Sequence, residues 1–169
     1  AIGLSGQMHG TVCLDKTATP LRPAIIWADT RSSSQVNRVN ENNSVDEMGQ
    51  YAPGPPAAGF MASTLMWLTE HESKTMAATE VVILPKDYVR LRLTGMVGTE
   101  VSDAASTWLL DVASGQWSDK LVATCGLEHR YLPTVSNSLD VVGTLTTEAA
   151  EALGLPTNVE VIAGCADQP

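Results

Sequence analysis

Short apolar runs alternate along the chain with stretches in which apolar residues recur at helical spacing. The runs of strand type lie at 1–4, 11–14, 24–27, 81–84 and 159–164. Helical spacing is found at 32–48, 62–71, 85–95, 117–125 and 146–153. Because strands and helices follow one another in turn, the pattern predicts an α/β architecture.

Two of the expected helices carry clear end signals. Pro85 stands in the first turn of one helix, and Gly95 stands just past its end. Thr146 is a candidate N-cap of the last helix, and Gly154 is its expected stop. Proline tolerates the first helical position because its missing N–H has no helical partner there, and glycine readily adopts the left-handed cap conformation.

The middle of the chain is less regular. Residues 32–48 predict a polar surface helix that Ser32 or Ser33 caps, and the proline-rich segment 50–59 predicts a loop. The run Ala24–Trp27 predicts a short buried strand.

Length and charge narrow the class of protein. A chain of 169 residues with 44% hydrophobic and 17% charged residues suits one globular domain. A net charge of −9 repels phosphate backbones and anionic lipids, so we expect neither a nucleic-acid partner nor a membrane partner. No apolar run reaches the roughly 18 residues that a membrane-spanning helix needs.

The cysteines indicate a reducing compartment. Cys13, Cys125 and Cys165 are odd in number and far apart, which argues against a disulfide framework or a zinc site. We therefore expect free thiols and a cytoplasmic protein. The chain opens without Met, inside a strand-like run, and stops as abruptly, so we expect a piece of a longer protein.

Three polar loops that follow apolar runs are candidate sites, because ligands tend to bind where strands of an α/β sheet end. The first is 5–10, in which Gln7 and His9 could hydrogen-bond hydroxyl groups beside the apolar Met8. A glycine-rich turn whose histidine binds a backbone carbonyl is the alternative.

The second loop is 27–31, where the Trp27 indole could pack on a sugar ring and Asp29 could bind its hydroxyls. The alternative is a core tryptophan with a structural ion pair between Asp29 and Arg31. The third loop is 163–168, where the Asp167 carboxylate could accept a proton. Capping of a following helix by Asp167 is the alternative.

Two further charged positions receive structural interpretations. The pair Lys86–Asp87 is expected on a solvated helix face, as most such pairs are. Asp103 is expected to anchor a loop near the first two sites.

Six segments in order, spread over nearly the whole chain, resemble the FGGY family of carbohydrate kinases. They are Gly6–Gly10, Leu21–Arg31, Leu84–Gly95, Thr99–Ala105, Leu110–Ser118 and Val161–Asp167. The Met8–His9 pair resembles the branch of the family that phosphorylates D-xylulose. The chain departs from the family at Gly164-Cys165-Ala166, where more glycines are usual, and at Pro169, where a small residue is usual.

The resemblance implies a fold, and it implies that these residues form only part of a kinase. The fold would be a ribonuclease-H-like, actin-like ATPase lobe with a mixed β-sheet and packed helices, truncated at both ends. Residues 1–169 would form the N-terminal, sugar-binding lobe in incomplete form, and would be inactive alone. ATP and Mg²⁺ would be held mainly by parts outside these residues.

The resemblance also implies an activity, the ATP-dependent phosphorylation of D-xylulose to D-xylulose 5-phosphate. Asp167 would be the general base, and Met8 and His9 would hold the sugar. The secondary candidates for sugar binding are Gln7, Trp27 and Asp29. A kinase for another ketose or polyol, and a sugar-binding fragment without catalysis, are the alternatives; a homodimer is also left open.

Overall fold

Short strands and short helices make up the part of the chain that the structure describes. The structure is a computed structural model that describes residues 1–52 and 54–168, without the side chain of Val45. Pro53, in the expected 50–59 loop, and Pro169, where a small residue is usual in the family, lie outside the described residues.

The strands are β1 (Ser5–Gly6), β2 (Val12–Leu14), β3 (Val81–Ile83), β4 (Thr99–Glu100), β5 (Leu110–Asp111), β6 (Gln116–Trp117), β7 (Val135–Ser136), β8 (Val141–Thr144), β9 (Glu160–Ile162) and β10 (Cys165–Ala166). The helices are α1 (Ser33–Asn42), α2 (Val45–Met48), α3 (Met61–His71), α4 (Ser73–Ala78), α5 (Pro85–Thr94), α6 (Val101–Ala105), α7 (Asp119–Thr124) and α8 (Thr147–Leu153). A 3-10 turn occupies His129–Tyr131.

The strands pair in both directions, as the mixed α/β class predicts. The pairs β1–β10 and β4–β7 are parallel, whereas β2–β3, β5–β6 and β8–β9 are antiparallel. A parallel bridge between Ile2 and Val161 places the start of the chain beside β9, and the parallel pair β1–β10 continues this alignment further along both segments.

The end signals of the two marked helices are confirmed. α5 begins at Pro85, and Gly95 ends it with a φ of 74°. The Thr146 side chain accepts the N–H of Ala149 at 3.1 Å, and Gly154 ends α8 with a φ of 66°.

Two expectations for the middle of the chain are wrong. Ser32 precedes α1 but makes no capping bond, because its hydroxyl donates to Ser63 inside the protein. Within 24–27 only Ile25 is buried, through a bridge to Thr11, while Ile26 is 43% and Trp27 59% exposed. An extended segment with one side on the protein turns its other side chains to solvent, and this segment is such an edge.

Apolar side chains from the helices pack against the strands in three clusters. The largest joins α1, α3, α4 and α7 to the first strands through Val39, Leu65, Leu68, Met76, Val82, Trp108 and Leu121. A second cluster lies between β2, β3 and α5, and a third between α8 and β9. Across the described ranges, no helix combines the length and apolar character that a bilayer span requires.

Candidate functional site

The parallel pair β1–β10 brings the first and third candidate loops together. Ser5 lies opposite Cys165 and Gly6 opposite Ala166. The Asp167 N–H donates to the Gly6 carbonyl at 3.0 Å, and the Met8 N–H donates to Asp167 Oδ1 at 3.2 Å. Residues that are about 160 positions apart in the chain therefore share one edge.

A tight turn at Gly164 directs β10 toward that edge. Its φ is +85°, and a Cβ built there would lie 2.3 Å from the Leu4 carbonyl oxygen. The next residue, Cys165, donates its N–H to that same carbonyl at 2.9 Å. The close approach of two backbones requires glycine at this position.

His9 is held on two sides, and its ring orientation follows from its contacts. Its Nδ1 lies 2.6 Å from the Ser106 carbonyl oxygen, which can only accept, so a neutral ring carries its proton on Nδ1. The Phe60 ring stacks on the imidazole at a centroid distance of 4.0 Å. Nε2 is left as an acceptor. His9 thus binds a backbone carbonyl, as the alternative interpretation predicted, and Nε2 takes no part in that bond.

Two neighbouring cavities open at this edge. One of about 340 Å³ is lined by Met8, His9, Trp27, Asp167 and Gln168. The other, of about 380 Å³, shares Met8, His9 and Gln168 and extends along Phe60, Ser102, Ser106 and Trp108. Both volumes lie in the range of small-molecule pockets. Of the described residues that line them, none is Gln7 or Asp29.

The second loop divides between the cavity and a local ion pair. The Asp29 carboxylate accepts from Arg31 Nε at 2.9 Å and Nη2 at 2.8 Å, and these bonds hold the pKa of Asp29 below its usual value. The Arg31 guanidinium lies 4.9 Å from the Trp67 ring centroid. Asp29 is therefore engaged in the structural ion pair, while the exposed Trp27 faces the cavity and is not a core residue.

The pair Lys86–Asp87 corrects our expectation of a solvated helix face. Lys86 is 3% and Asp87 1% exposed. Lys86 Nζ lies 3.3 Å from carboxylate oxygens of Asp87, Glu100 and Asp103. The first turn of α5 points into the protein, where three carboxylates from two helix starts offset the cost of burying the ammonium group.

Charge is unevenly stabilised in this buried cluster. Burial raises the pKa of Asp103 to about 7, and the neighbouring carboxylate of Asp87 adds to the effect. Burial also acts on Glu100, but the N–H of Ser102, the Ser138 hydroxyl and Lys86 outweigh it, so the pKa of Glu100 is lowered. The cluster therefore favours the charged form of Glu100 and disfavours that of Asp103.

Sequence reasoning missed the cavity residues Phe60, Ser106 and Trp108. Phe60 is the one phenylalanine of the chain and stands directly before α3, which was a usable signal. Ser106 directly follows α6, and it belongs to the same polar stretch as Asp103, the residue of this stretch for which a role was predicted. Their approach to His9 depends on contacts over 50 to 100 positions.

Within the described ranges, no group of three or more His, Cys, Asp or Glu side chains could hold a metal ion. Asp167 is a single exposed carboxylate at the cavity. The described side chains therefore form no all-protein cage for a metal ion.

Comparison with known proteins places the chain in a family. Residues 1–169 match the FGGY family of carbohydrate kinases, N-terminal domain. The chain is 39% identical to the xylulose kinase of Klebsiella pneumoniae over 96% of its own length and 33% of that protein's. It is 40% identical to the xylulose kinase of Bacillus subtilis, over 98% of the chain and again 33% of the relative.

Solved structures of carbohydrate kinases also match the fold of the chain. The crystal structure of a "xyloylose kinase" from Brucella ovis matches 98% of the chain and 34% of that protein, with a TM-score of 0.86 at 37% identity. Xylulose kinase from Rhodospirillum rubrum matches with a TM-score of 0.91 at 28% identity, over 98% of the chain and 34% of that protein. The chain thus spans about a third of the length of these relatives. With the match over its whole length, it belongs to the FGGY family of carbohydrate kinases and corresponds to their N-terminal domain.

Proposed function

We propose that the full-length protein transfers a phosphoryl group from ATP to D-xylulose, and that this domain binds the sugar. The observation that carries the proposal is the Asp167 carboxylate in a cavity wall shared with Met8, His9 and Trp27. Relatives at 37–40% identity are named xylulose kinases, which supports this substrate for the proposed site.

The side chains of the cavity suit the hydroxyl group of a sugar as phosphoryl acceptor. A sugar hydroxyl is a weak nucleophile at neutral pH, and a carboxylate that takes its proton assists attack. Asp167 Oδ1 is engaged by the Met8 N–H, and no described residue donates to Oδ2. Oδ2 is therefore the atom we assign to the terminal hydroxyl of the sugar.

The other cavity residues orient the substrate. His9 Nε2 accepts a hydrogen bond from a sugar hydroxyl, and the Trp27 indole packs on the C–H face of the sugar. Met8 supplies an apolar wall and a backbone N–H that holds Asp167 in place. Kinases of this family use ATP, which supplies the transferred phosphoryl group. No step is assigned to Mg²⁺, since the described side chains form no all-protein metal site.

Another sugar is the second candidate for substrate. The gluconate kinase of Lactobacillus acidophilus has the same fold, with a TM-score of 0.91, but only 25% identity. The higher identity to xylulose kinases favours D-xylulose.

Asp167→Asn in the full-length protein tests the general base. Asn keeps an acceptor oxygen but cannot take a proton, so we expect kcat for D-xylulose to fall by about 10²–10⁴. KM should stay within a few-fold, because the sugar contacts remain. Steady-state kinetics on several ketoses measures both constants.

The matched control is Asp46→Asn, the same change on the exposed helix α2. It should leave kcat unchanged. A near-normal kcat in Asp167→Asn, or a rise in KM alone, would make Asp167 a structural residue. Tight sugar binding by the wild-type protein with no turnover would favour a binding protein without catalysis.

A further inference from the structure

Polar side chains of other elements hold the backbone just before Asp167 at three points. At one end, the Ala163 carbonyl accepts from Arg90 Nη1 at 3.0 Å and from Lys86 Nζ at 3.3 Å. At the other end, the Ala166 N–H donates to Ser102 Oγ at 3.0 Å, and the Ala166 carbonyl accepts from Ser5 Oγ at 3.3 Å. Ala166 immediately precedes Asp167 and is 1% exposed. The Ser102 contact therefore holds the peptide bond between Cys165 and Ala166, one residue before the proposed base.

The direction of the Ser102 hydroxyl is set by Glu100. Ser102 Oγ lies 2.8 Å from Glu100 Oε1 and 3.0 Å from Oε2. Burial and hydrogen bonding together leave the pKa of Glu100 lowered, so this carboxylate is ionised and only accepts. The Ser102 proton therefore points at Glu100, and the oxygen lone pairs are left to receive the Ala166 N–H.

Glu100 is itself fixed from several sides. Its carboxylate accepts the Ser102 and Asp103 N–H groups at 2.9 Å, which caps α6, and the Ser138 hydroxyl at 2.8 Å. Lys86 Nζ lies 3.3 Å away. Five donors on a 0% exposed carboxylate leave it little freedom to move, so the oxygen of Ser102 is a fixed acceptor.

We propose that Ser102 is a positioning residue for the phosphoryl transfer. Its hydroxyl, oriented by Glu100, holds the Ala166 N–H. Together with the bonds of Gly6 and Met8 to Asp167, this contact sets where the Asp167 carboxylate lies in the cavity. This inference rests on the proposed function of Asp167. Ser102 acts through Asp167 and transfers no proton of its own.

Ser102→Ala in the full-length protein removes the acceptor and leaves the buried Ala166 N–H to find another. A misplacement of a reacting group by 1 Å can cost about 10²-fold in rate, so we expect kcat to fall by about 10-fold. KM for D-xylulose should stay within about 2-fold, because Met8, His9 and Trp27 are unchanged. Ser102→Thr keeps the oxygen and should restore most of kcat.

The control for loss of a structural serine is Ser118→Ala. Ser118 is also buried, and its oxygen also accepts a backbone N–H, from Leu121 at 3.3 Å, at the start of α7 and away from the cavity. It should lower the melting temperature and leave kcat unchanged. If Ser102→Ala lowers only the melting temperature, as is expected for Ser118→Ala, the proposal is overturned.

A double-mutant cycle tests whether Ser102 acts through Asp167. If Ser102 acts through Asp167, adding Ser102→Ala to Asp167→Asn should cost less than 2-fold in the residual single-turnover rate. Multiplicative losses would overturn the positioning role. A normal kcat in Asp167→Asn alone would overturn the proposed function instead.

Discussion

A single histidine shows how one side chain serves both the fold and the cavity. His9 bonds the Ser106 carbonyl through Nδ1 and stacks on Phe60, and it also lines both cavities. From the sequence, carbonyl binding and ligand binding were alternatives. In the structure, the bond to the Ser106 carbonyl fixes the proton on Nδ1 and leaves Nε2 as an acceptor for the proposed ligand.

His9→Asn tests this arrangement. Asn tolerates the φ of 69° at this position, and its amide N–H can replace Nδ1–H toward Ser106, but nothing replaces Nε2. We expect sugar binding by the full-length protein to weaken by roughly 1–3 kcal/mol through the unpaired hydroxyl, measured by titration calorimetry.

His71→Asn is a closely matched control, since His71 Nδ1 also lies near a carbonyl, that of Trp67 at 3.0 Å, and its ring also stacks on an aromatic. It should leave the affinity unchanged. Equal losses in both variants would show that His9 acts only on stability.

At the scale of elements, the turn between β9 and β10 decides where the site stands. Gly95 and Gly154 merely end helices, whereas Gly164 lets two backbones meet. A helix end is marked by residues a few positions away, so it was predictable. The strand run expected at 159–164 instead ends at Ile162, and the chain turns before the two-residue β10.

Gly164→Ala should therefore cost more stability than Gly154→Ala. Both replace a glycine of positive φ, which alone costs about 1 kcal/mol. Only Gly164→Ala also sets a Cβ against the Leu4 carbonyl, since nothing lies within 4 Å at Gly154. Thermal unfolding of the two variants measures the difference, and Gly164→Ala should also lower kcat. Equal melting temperatures would contradict the close approach.

At the scale of the whole molecule, the buried charge cluster joins elements that are distant in the chain. Lys86 of α5 lies beside Glu100 and Asp103 at the start of α6, and Arg90 lies 3.5 Å from Asp87. Both cations donate to the Ala163 carbonyl between β9 and β10. Replacing one member would leave an uncompensated buried charge, which is costly. The cluster thus ties the core to the edge that carries Asp167.

The raised pKa of Asp103 predicts that the stability of the folded chain depends on pH. Its pKa of about 7 in the folded chain lies above that of an unfolded aspartate, about 3.9. Between these values the folded state keeps a proton that the unfolded state has lost, so the free energy of unfolding falls as pH rises. One group contributes at most about 1.4 kcal/mol per pH unit, and nothing further above pH 7.

Asp103→Asn removes this contribution. Denaturant unfolding of the 169-residue chain from pH 4.5 to 8 should show the wild type losing stability relative to the variant up to about pH 7. Above that pH the difference should be constant. Parallel curves over the whole range would show that Asp103 is ionised throughout.

The sequence by itself determined what depends on neighbours along the chain. The helix from Pro85, its stop at Gly95, the capped helix from Thr146 and the order of apolar runs and polar loops all follow from local backbone preferences. The resemblance of ordered segments also pointed to the family, because those segments keep their residues in sequence.

Tertiary structure alone decided burial and the meeting of distant groups. Lys86 is inside the protein and Trp27 outside it, against the local pattern, because burial depends on what other elements cover each face. The joining of Met8 to Asp167 and of Ser102 to Ala166 spans 159 and 64 positions. No spacing in the sequence encodes these contacts, since they arise only when the β1–β10 pair and α6 pack together.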